Sequence, residues 1–226
     1  MERKGMLSRD YIDDLLVRFA HHSSAIENNR ITLQGAESIL IHKTIPSRSS
    51  LREVYEIDNH RFAFDYMLSC IRSNEKLTFK TVFKIHSLLL DRLHHERGMF
   101  KTSSNRIVGV SFRTASVEET PILMKQWLDN VNYRLENSLS RKEIIKVICD
   151  THIQFERIHP FQDGNGRVGR MIMCYLLMIN DIPPLIIDKD DKGKYFSWLS
   201  AENSEVFSSY ALHRITAEEQ RINSFK

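Results

Sequence analysis

The stretch His159–Arg170, HPFQDGNGRVGR, decides how the rest of the chain is read. Upstream lies an apolar segment with Ile144, Ile145, Val147, Ile148, Ile153 and Phe155; downstream runs an uncharged stretch from Met171 to Ile179. A histidine, an aspartate, three glycines and two arginines therefore sit where two helix-like, core-like segments meet. Gly164 and Gly166 are free to take positive φ and turn successive amides toward one point. A helix opening near Arg167 adds unbonded N–H groups and the positive end of its dipole. Arg167 and Arg170, three apart, reach the same side of its first turn. These are the parts of a phosphate site. Asp163 has the wrong charge to bind phosphate directly, but suits a Mg²⁺ ion that bridges it to phosphate oxygens. His159, with an ordinary pKa of about 6.5, suits removal of a proton from a hydroxyl.

Gly164 to Gly169 also fits G-x-G-x-x-G, with Asp188 at the spacing of a ribose-binding acid. That dinucleotide reading fails on context. It needs a buried strand before the glycines and alternating strands and helices around them.

The bulk of the sequence agrees with a helical protein. Its 226 residues suffice for one core, and 42% apolar with 27% charged residues is ordinary for a globular domain. Five prolines and eight glycines are too few for a turn-rich β fold. The net charge is +3, with Lys and Arg interleaved with Asp and Glu, which argues against nucleic acid as a direct partner. Cys70, Cys149 and Cys174 form no C-x-x-C pair and read as buried, reduced thiols rather than zinc ligands. MERKGMLSRD lacks an apolar signal core, and no uncharged run approaches the ~20 residues of a membrane span. The expectation is a cytoplasmic protein without membrane contact.

Helix signals punctuate the chain. Ser8 caps a first helix carrying Ile12, Leu15, Leu16, Phe19 and Ile26, which stops at Asn28-Asn29. Thr32 caps a short second one. A loop at Pro46–Ser50 precedes a long helix over Leu51–Arg72, and Thr78 opens another that runs to Leu93. Ile107 to Phe112, around Gly109, reads as a small β-hairpin. Val117 to Asn137 is helical, with Pro121 in its first turn. Ser140 caps a helix to about Arg157 whose apolar residues cover more than one face, so it belongs at the centre with Met171–Ile179 beside it. Asp181-Ile182-Pro183-Pro184 ends that helix, and two more, Lys192–Glu202 and Ser204–Gln220, finish the chain.

The central stretch resembles the Fic family signature, H-P-F-x-[DE]-G-N-G-R-x-x-R, with every defined position filled, and the resemblance extends from about Ser8 to Phe207. It implies an all-α, Fic-type helical bundle with a small β-hairpin flap. A single domain would cover residues 1–226, with an inhibitory helix at 8–30, the flap at 105–116 and a catalytic helix–loop–helix core at 141–180. It also implies transfer of AMP from ATP to a hydroxyl side chain of a target protein, with release of pyrophosphate. Carried over by position, His159 is the general base acting on a Ser, Thr or Tyr hydroxyl, and Asp163 holds Mg²⁺. Gly164, Asn165, Gly166 and Arg167 cradle the phosphates, and Arg170 binds the γ-phosphate. Relatives that phosphorylate their targets carry lysine at the position of Gly166, so glycine favours AMP transfer. Tyr195 and Asn203 resemble the adenosine pocket, although Phe196 stands where relatives often have Tyr, and aromatic core packing is the structural alternative. Ile107, Val108, Gly109 and Val110 correspond to the flap that positions the target, by adding a strand to its edge.

Ser23-Ser24-Ala25-Ile26-Glu27-Asn28 resembles the family's inhibitory motif, [ST]-x-x-x-E-[GN], with Asn28 where most relatives have Gly. The resemblance pairs Glu27 with Arg170, where its carboxylate takes the place of a γ-phosphate. ATP then binds with its α-phosphorus out of line, and a ~1 Å displacement can cost about 10²-fold in rate. Three other readings are weighed beside AMP transfer. One is removal of AMP by the same site. Another is a nucleotide-binding regulatory module with little turnover, which would have no need of His159 as a base. The last is a metal-dependent phosphohydrolase using His152, His159 and Asp163, which lacks a second carboxylate. Self-modification at Tyr11, Tyr55 or Tyr210 and formation of a homodimer are left open.

Overall fold

The computed structural model describes residues 7–105 and 112–225. Among these residues the secondary structure is helical: α1 Arg9–Ile26, α2 Leu33–Leu40, α3 Leu51–Arg72, α4 Phe79–Leu89, α5 Glu119–Glu136, α6 Arg141–Ile158, α7 Asn165–Ile179, α8 Lys192–Ala201 and α9 Ser204–Asn223. The caps follow from side-chain chemistry. Ser8, Thr32, Ser50, Thr78 and Ser140 each accept from the backbone amide three residues ahead. Glu53 and Glu143 reach back to complete capping boxes at α3 and α6. Each such cap stabilises its helix by about 1 kcal/mol.

The elements depart from the sequence expectation in small ways. Helix α4 stops at Leu89, and Leu93 lies in the turns that follow, where Arg92 takes φ 61°. Helix α7 opens at Asn165, so the signature's second half is helical from its start. Pro121 does lie in the first turn of α5. The expected flap residues Ile107, Val108, Gly109 and Val110 lie outside the described residues.

Helix α6 is the axis of the bundle, packing on α5, α7 and α9; α3 and α4 pair and close on the other side of α7, with α1 and α2 against α3. The two-faced apolar pattern of α6 is thereby explained. Ile145, Ile148, Ile153 and Phe155 from α6 meet Val168, Met171, Ile172 and Met173 from α7, all buried. Each full burial of that kind contributes roughly 1.5–3 kcal/mol. Cys70, Cys149 and Cys174 are free and buried, as expected. No helix among the described residues is long and apolar enough to cross a membrane.

This packing fixes the joint between α6 and α7. His159 ends α6 in the left-handed conformation, φ 53° and ψ 60°, and Pro160 prevents the helix from continuing. Gly164 then takes φ 80° to open α7. A Cβ on Gly164 would be strained at that φ and would collide with the side chain of Leu90.

Candidate active site

His159 stands at the mouth of the α6–α7 joint with 15% of its side chain exposed. Its Nδ1 lies 3.2 Å from the carbonyl of Glu156. A carbonyl only accepts, so Nδ1 carries the proton and Nε2 is left as the free base. Burial pushes the imidazole down to about 4, against the Glu156 carbonyl, which favours the charged form; nearby Lys101 adds to the depression and Glu27 and Asp163 oppose it. The ring is neutral, and able to accept a proton, throughout the physiological range.

The two arginines of the signature share one side of the opening turn of α7, as their spacing requires, but their donors are in opposite states. Arg170 is buried and fully engaged: Nε donates to Ser23 Oγ at 3.0 Å, and Nη2 to the Ser23 carbonyl and Glu27 Oε1, each at 2.7 Å. Arg167 is equally buried, yet its Nε and Nη1 have no partner among the described residues. Its Nη2 donates only to Asp163, at 3.3 Å. Buried guanidinium donors without acceptors cost free energy and mark a place prepared for an anion.

Helix α1 supplies the carboxylate that fills the other half. Its C-terminus sets Glu27 against Gly166, so close that a Cβ on Gly166 would overlap Glu27 Oε1 and press on Arg170. The glycine at 166 is thus required by proximity, not by positive φ: the residue is helical, unlike Gly164. Burial opposes the charge of Glu27, but Arg170 first, then Arg167 and His159, outweighs it and holds the carboxyl below its usual range. Asn28 takes φ 71° and ends the helix there, and its Oδ1 accepts from Lys192 at 2.7 Å. Ser23 and Glu27 therefore meet Arg170 directly, while Asn28 ends the helix and pairs with α8 instead.

Asp163 also sits where the sequence placed it. Its carboxylate accepts from the Gly164 amide at 2.6 Å and from Arg52 Nη2 at 3.0 Å. Burial opposes its charge, while Arg167 and Arg52 hold it well ionised. A single partly open carboxylate beside an anion pocket fits Mg²⁺, which takes most of its ligands from phosphates and water. No cluster of three or more His, Cys, Asp or Glu side chains able to hold a metal occurs among the described residues. Asn165 does not face the pocket with its amide. Its side chain exchanges two bonds with the backbone of Phe161, at 2.8 and 2.6 Å, and so shapes the loop.

Tyr195 and Asn203 are less open than the resemblance implied. Tyr195 is buried, bonded to His152 Nε2 at 2.8 Å with Arg170 over its ring; Asn203 caps α9 through the Val206 amide at 3.1 Å. His152 is a core residue, which removes it from any hydrolytic metal site.

Sequence reasoning missed three participants. Glu156 lies buried under His159, its Oε1 without a partner, and burial raises its carboxyl to about 8. A carboxylate four residues after His152 on an apolar helix was the available signal. Arg52 and His86 had none. Arg52 reaches Asp163 from α3, steadied by Glu56, which Asn29 holds in turn at 2.9 Å. His86 stacks on Phe161 at 3.7 Å and bonds the Asp163 carbonyl at 3.1 Å.

Comparison with known proteins concerns the sequence and the fold. Residues 76–177 match the Fic/DOC family model. A protein adenylyltransferase Fic from Aedes aegypti is 30% identical over 192 residues, covering 83% of this chain and 37% of that protein. Another protein adenylyltransferase Fic, from Nematostella vectensis, is 30% identical over 197 residues, covering 85% of this chain and 44% of that protein. The chain thus spans less than half the length of these curated relatives. Among solved structures, Fic-1 from C. elegans superposes with a TM-score of 0.83 at 20% identity, over 99% of this chain and 67% of that one. A Fic domain containing signaling protein from Bacteroides thetaiotaomicron gives 0.78 at 21% identity, over 96% and 86%. The fold, the filled signature and the sequence relatives lead to one conclusion: residues 76–177 of this chain form a Fic/DOC family domain.

Proposed function

We propose that this protein is an adenylyltransferase that moves AMP from ATP to a hydroxyl of a target protein and is restrained by its own Glu27. The observation that carries the reading is the contrast between the two arginines: Arg167 with idle buried donors, Arg170 with donors held by Ser23 and by the Glu27 carboxylate. An anion of several charges fits a pocket of this kind, and a carboxylate from the same chain now fills part of it.

In the reaction, His159 Nε2 takes the proton of the target Ser, Thr or Tyr hydroxyl, whose oxygen attacks the α-phosphorus. The bond to the β-phosphate oxygen breaks and pyrophosphate leaves. Arg167 and the first amides of α7 hold the phosphate oxygens, and Arg170 takes the γ-phosphate once Glu27 withdraws. Asp163 would hold Mg²⁺, which supplies neutralisation of phosphate charge when bound. The Arg52–Asp163 ion pair has to open for that. Gly166 leaves room over the opening turn of α7 where a lysine would not. For self-modification, Tyr55 suits better than Tyr11, which is buried with its hydroxyl on Glu218, and than Tyr210, whose hydroxyl is held by Asp191 and the Asp188 amide.

A second reading keeps the same site but runs toward removal of AMP. It is favoured by one observation, that the ionised Glu27 acts on His159 closely enough to influence its proton affinity. The test is labelled ATP with Mg²⁺, offered to the wild type and to Glu27→Gly in a cell lysate, with mass spectrometry of labelled bands. Strong labelling by the variant alone is the expected result. Release of AMP from a pre-labelled band by the wild type, without labelling by either, would establish the second reading instead. His159→Ala should lose about 10²–10⁴-fold in transfer while retaining ATP binding, measured by calorimetry.

A further inference from the structure

The loop that carries His159 is held by residues at and just before the edges of the expected flap. Four successive carbonyls, those of Ile158, His159, Pro160 and Phe161, all accept hydrogen bonds from two residues, Lys101 and Asn105. Lys101 Nζ donates to Ile158 at 3.3 Å, and the Lys101 amide to Pro160 at 2.9 Å. Asn105 Nδ2 donates to His159 at 3.2 Å and to Phe161 at 2.6 Å. The clamp is itself fixed. Lys101 Nζ donates to Asn105 Oδ1 at 2.9 Å, which settles the orientation of the Asn105 amide, because an ammonium only donates. Thr114 Oγ1 donates to the Asn105 carbonyl at 2.7 Å and sits within 3.2 Å of its Oδ1. Lys101 and Thr114 are both buried.

We propose that Asn105, braced by Lys101 and Thr114, is a positioning residue for His159, fixing the backbone conformation from which the imidazole reaches the reacting hydroxyl. Two physical arguments support this. His159 is a non-glycine residue held at positive φ, a strained conformation that persists only where neighbours over-determine it. Its own carbonyl is one of those Asn105 holds. Pinning the four carbonyls also keeps their oxygens from turning into a pocket built for an anion. Lys101 further adds a buried positive charge near the ring, where Glu27 and Asp163 are the other charges acting on it and the Glu156 carboxyl lies 3.9 Å from Nδ1. Burial pushes the Lys101 amine down to about 8, so the ammonium that donates to Asn105 and Ile158 is still charged at neutral pH.

The proposal rests on the transfer reaction proposed above, and its test separates the two. Asn105→Asp keeps the shape and the acceptor for Lys101 but removes both donated bonds; Asn105→Ala removes the side chain. In the Glu27→Gly background, each should lower kcat about ten- to hundredfold, the scale expected for a base displaced by ~1 Å, with the dissociation constant for ATP unchanged within about twofold. Lys101→Met should do the same and Lys101→Arg should restore most of the rate. The ring signals of His159 in ¹H–¹³C NMR should move in Asn105→Asp at fixed pH, whether or not transfer is detected. Full kcat together with unmoved ring signals would overturn the proposal. So would an equal loss of ATP binding, since the clamp would then serve the phosphate loop. An inactive Glu27→Gly parent would count against the transfer reading, and the His159 signals alone would decide the role of Asn105. If Asn105→Ala fails to fold, the Asn105→Asp and Lys101 variants carry the same comparison.

Discussion

Two glutamates act on Arg170, and the protein treats them in opposite ways. Glu27, at the end of α1, donates nothing and accepts directly from the guanidinium, so its charge is held despite the burial that opposes it. Glu156, on α6, lies beneath His159 without a donor on Oε1, and burial drives it toward the neutral acid at about 8. Both feel Arg170, and the charge of Glu27 adds to the upward shift of Glu156. What separates them is a charge-assisted hydrogen bond and access to water: the Glu27 side chain is 36% exposed and the Glu156 side chain 4%. A carboxylate in a low-dielectric site is ionised when donors reach it and neutral when they do not. One glutamate thereby becomes a removable stand-in for phosphate, and the other a neutral floor for the base.

Removing Glu27 should produce the largest effect. Glu27→Gly is expected to raise transfer by on the order of 10²-fold in a labelled-ATP assay, since ATP is then free to align. Thermal or urea unfolding of the same variant should show a loss of about 2 kcal/mol, because Arg170 stays buried with one fewer charged partner. A gain of activity with no change in stability would mean that the ion pair is incidental to the fold and the brake is steric.

Glu156→Gln probes the other side of the comparison through pH. The Glu156 pKa is raised on folding, so its stabilising contribution is complete below the unfolded value of about 4.5 and is lost as pH rises through about 8. Wild-type stability should therefore carry a downward slope of up to ~1.4 kcal/mol per pH unit between those limits from this one group, and the glutamine variant should lack it. Urea titrations at pH 5, 6, 7 and 8 for both proteins measure this. The buried histidines act in the opposite sense. His60 and His152 are pushed by burial to about 3, and His86 and His159 to about 4, so each costs stability as pH falls from about 6.5 toward those values. The difference between variants isolates Glu156 from them. Identical slopes in the two proteins would show that Glu156 is ionised in the folded state.

Smaller effects sharpen the picture. Arg52→Ala frees Asp163 of an ion pair that is open to solvent, for which roughly 0.2–1 kcal/mol is usual, so Mn²⁺ binding in the presence of ATP should tighten only a few-fold. Weaker binding would mean that Arg52 orients Asp163 for the metal rather than competing with it. The smallest change is an indirect one. Glu27→Gly removes a negative charge and leaves Arg170 free to attract Glu156, so the Glu156 carboxyl should titrate at lower pH in that variant, read by ¹³C NMR. An unmoved Glu156 would show that the two carboxyls do not sense one another through Arg170.

Most of the helical framework was legible because it is written locally. Ser8, Thr32, Ser50, Thr78 and Ser140 each cap within three residues, and α3 begins and ends where its apolar stripe and its cap predict. The site was legible where spacing carries it: His159, Asp163, Arg167 and Arg170 lie on one joint, and their order along the chain is nearly their order in space. Where the reading fell short, the cause was distance in sequence. Leu93 looked helical from its period, yet the chain turns before it. Gly166 looked like a turn residue, and only the arrival of Glu27 from α1 shows that it is small for lack of room.

By itself, then, the sequence determined the helices, their caps, the buried cysteines and the chemical inventory of the α6–α7 joint, because each depends on residues a few positions apart. Tertiary structure decided the charge states and the holding of the loop. Glu27 meets Arg170 across 143 residues, Arg52 meets Asp163 across 111, and Asn105 meets His159 across 54. Ionisation depends on which donors and how much water surround a group, and backbone restraint depends on which acceptors a distant side chain can reach. Neither is a property of local order along the chain; both follow from how the helices pack.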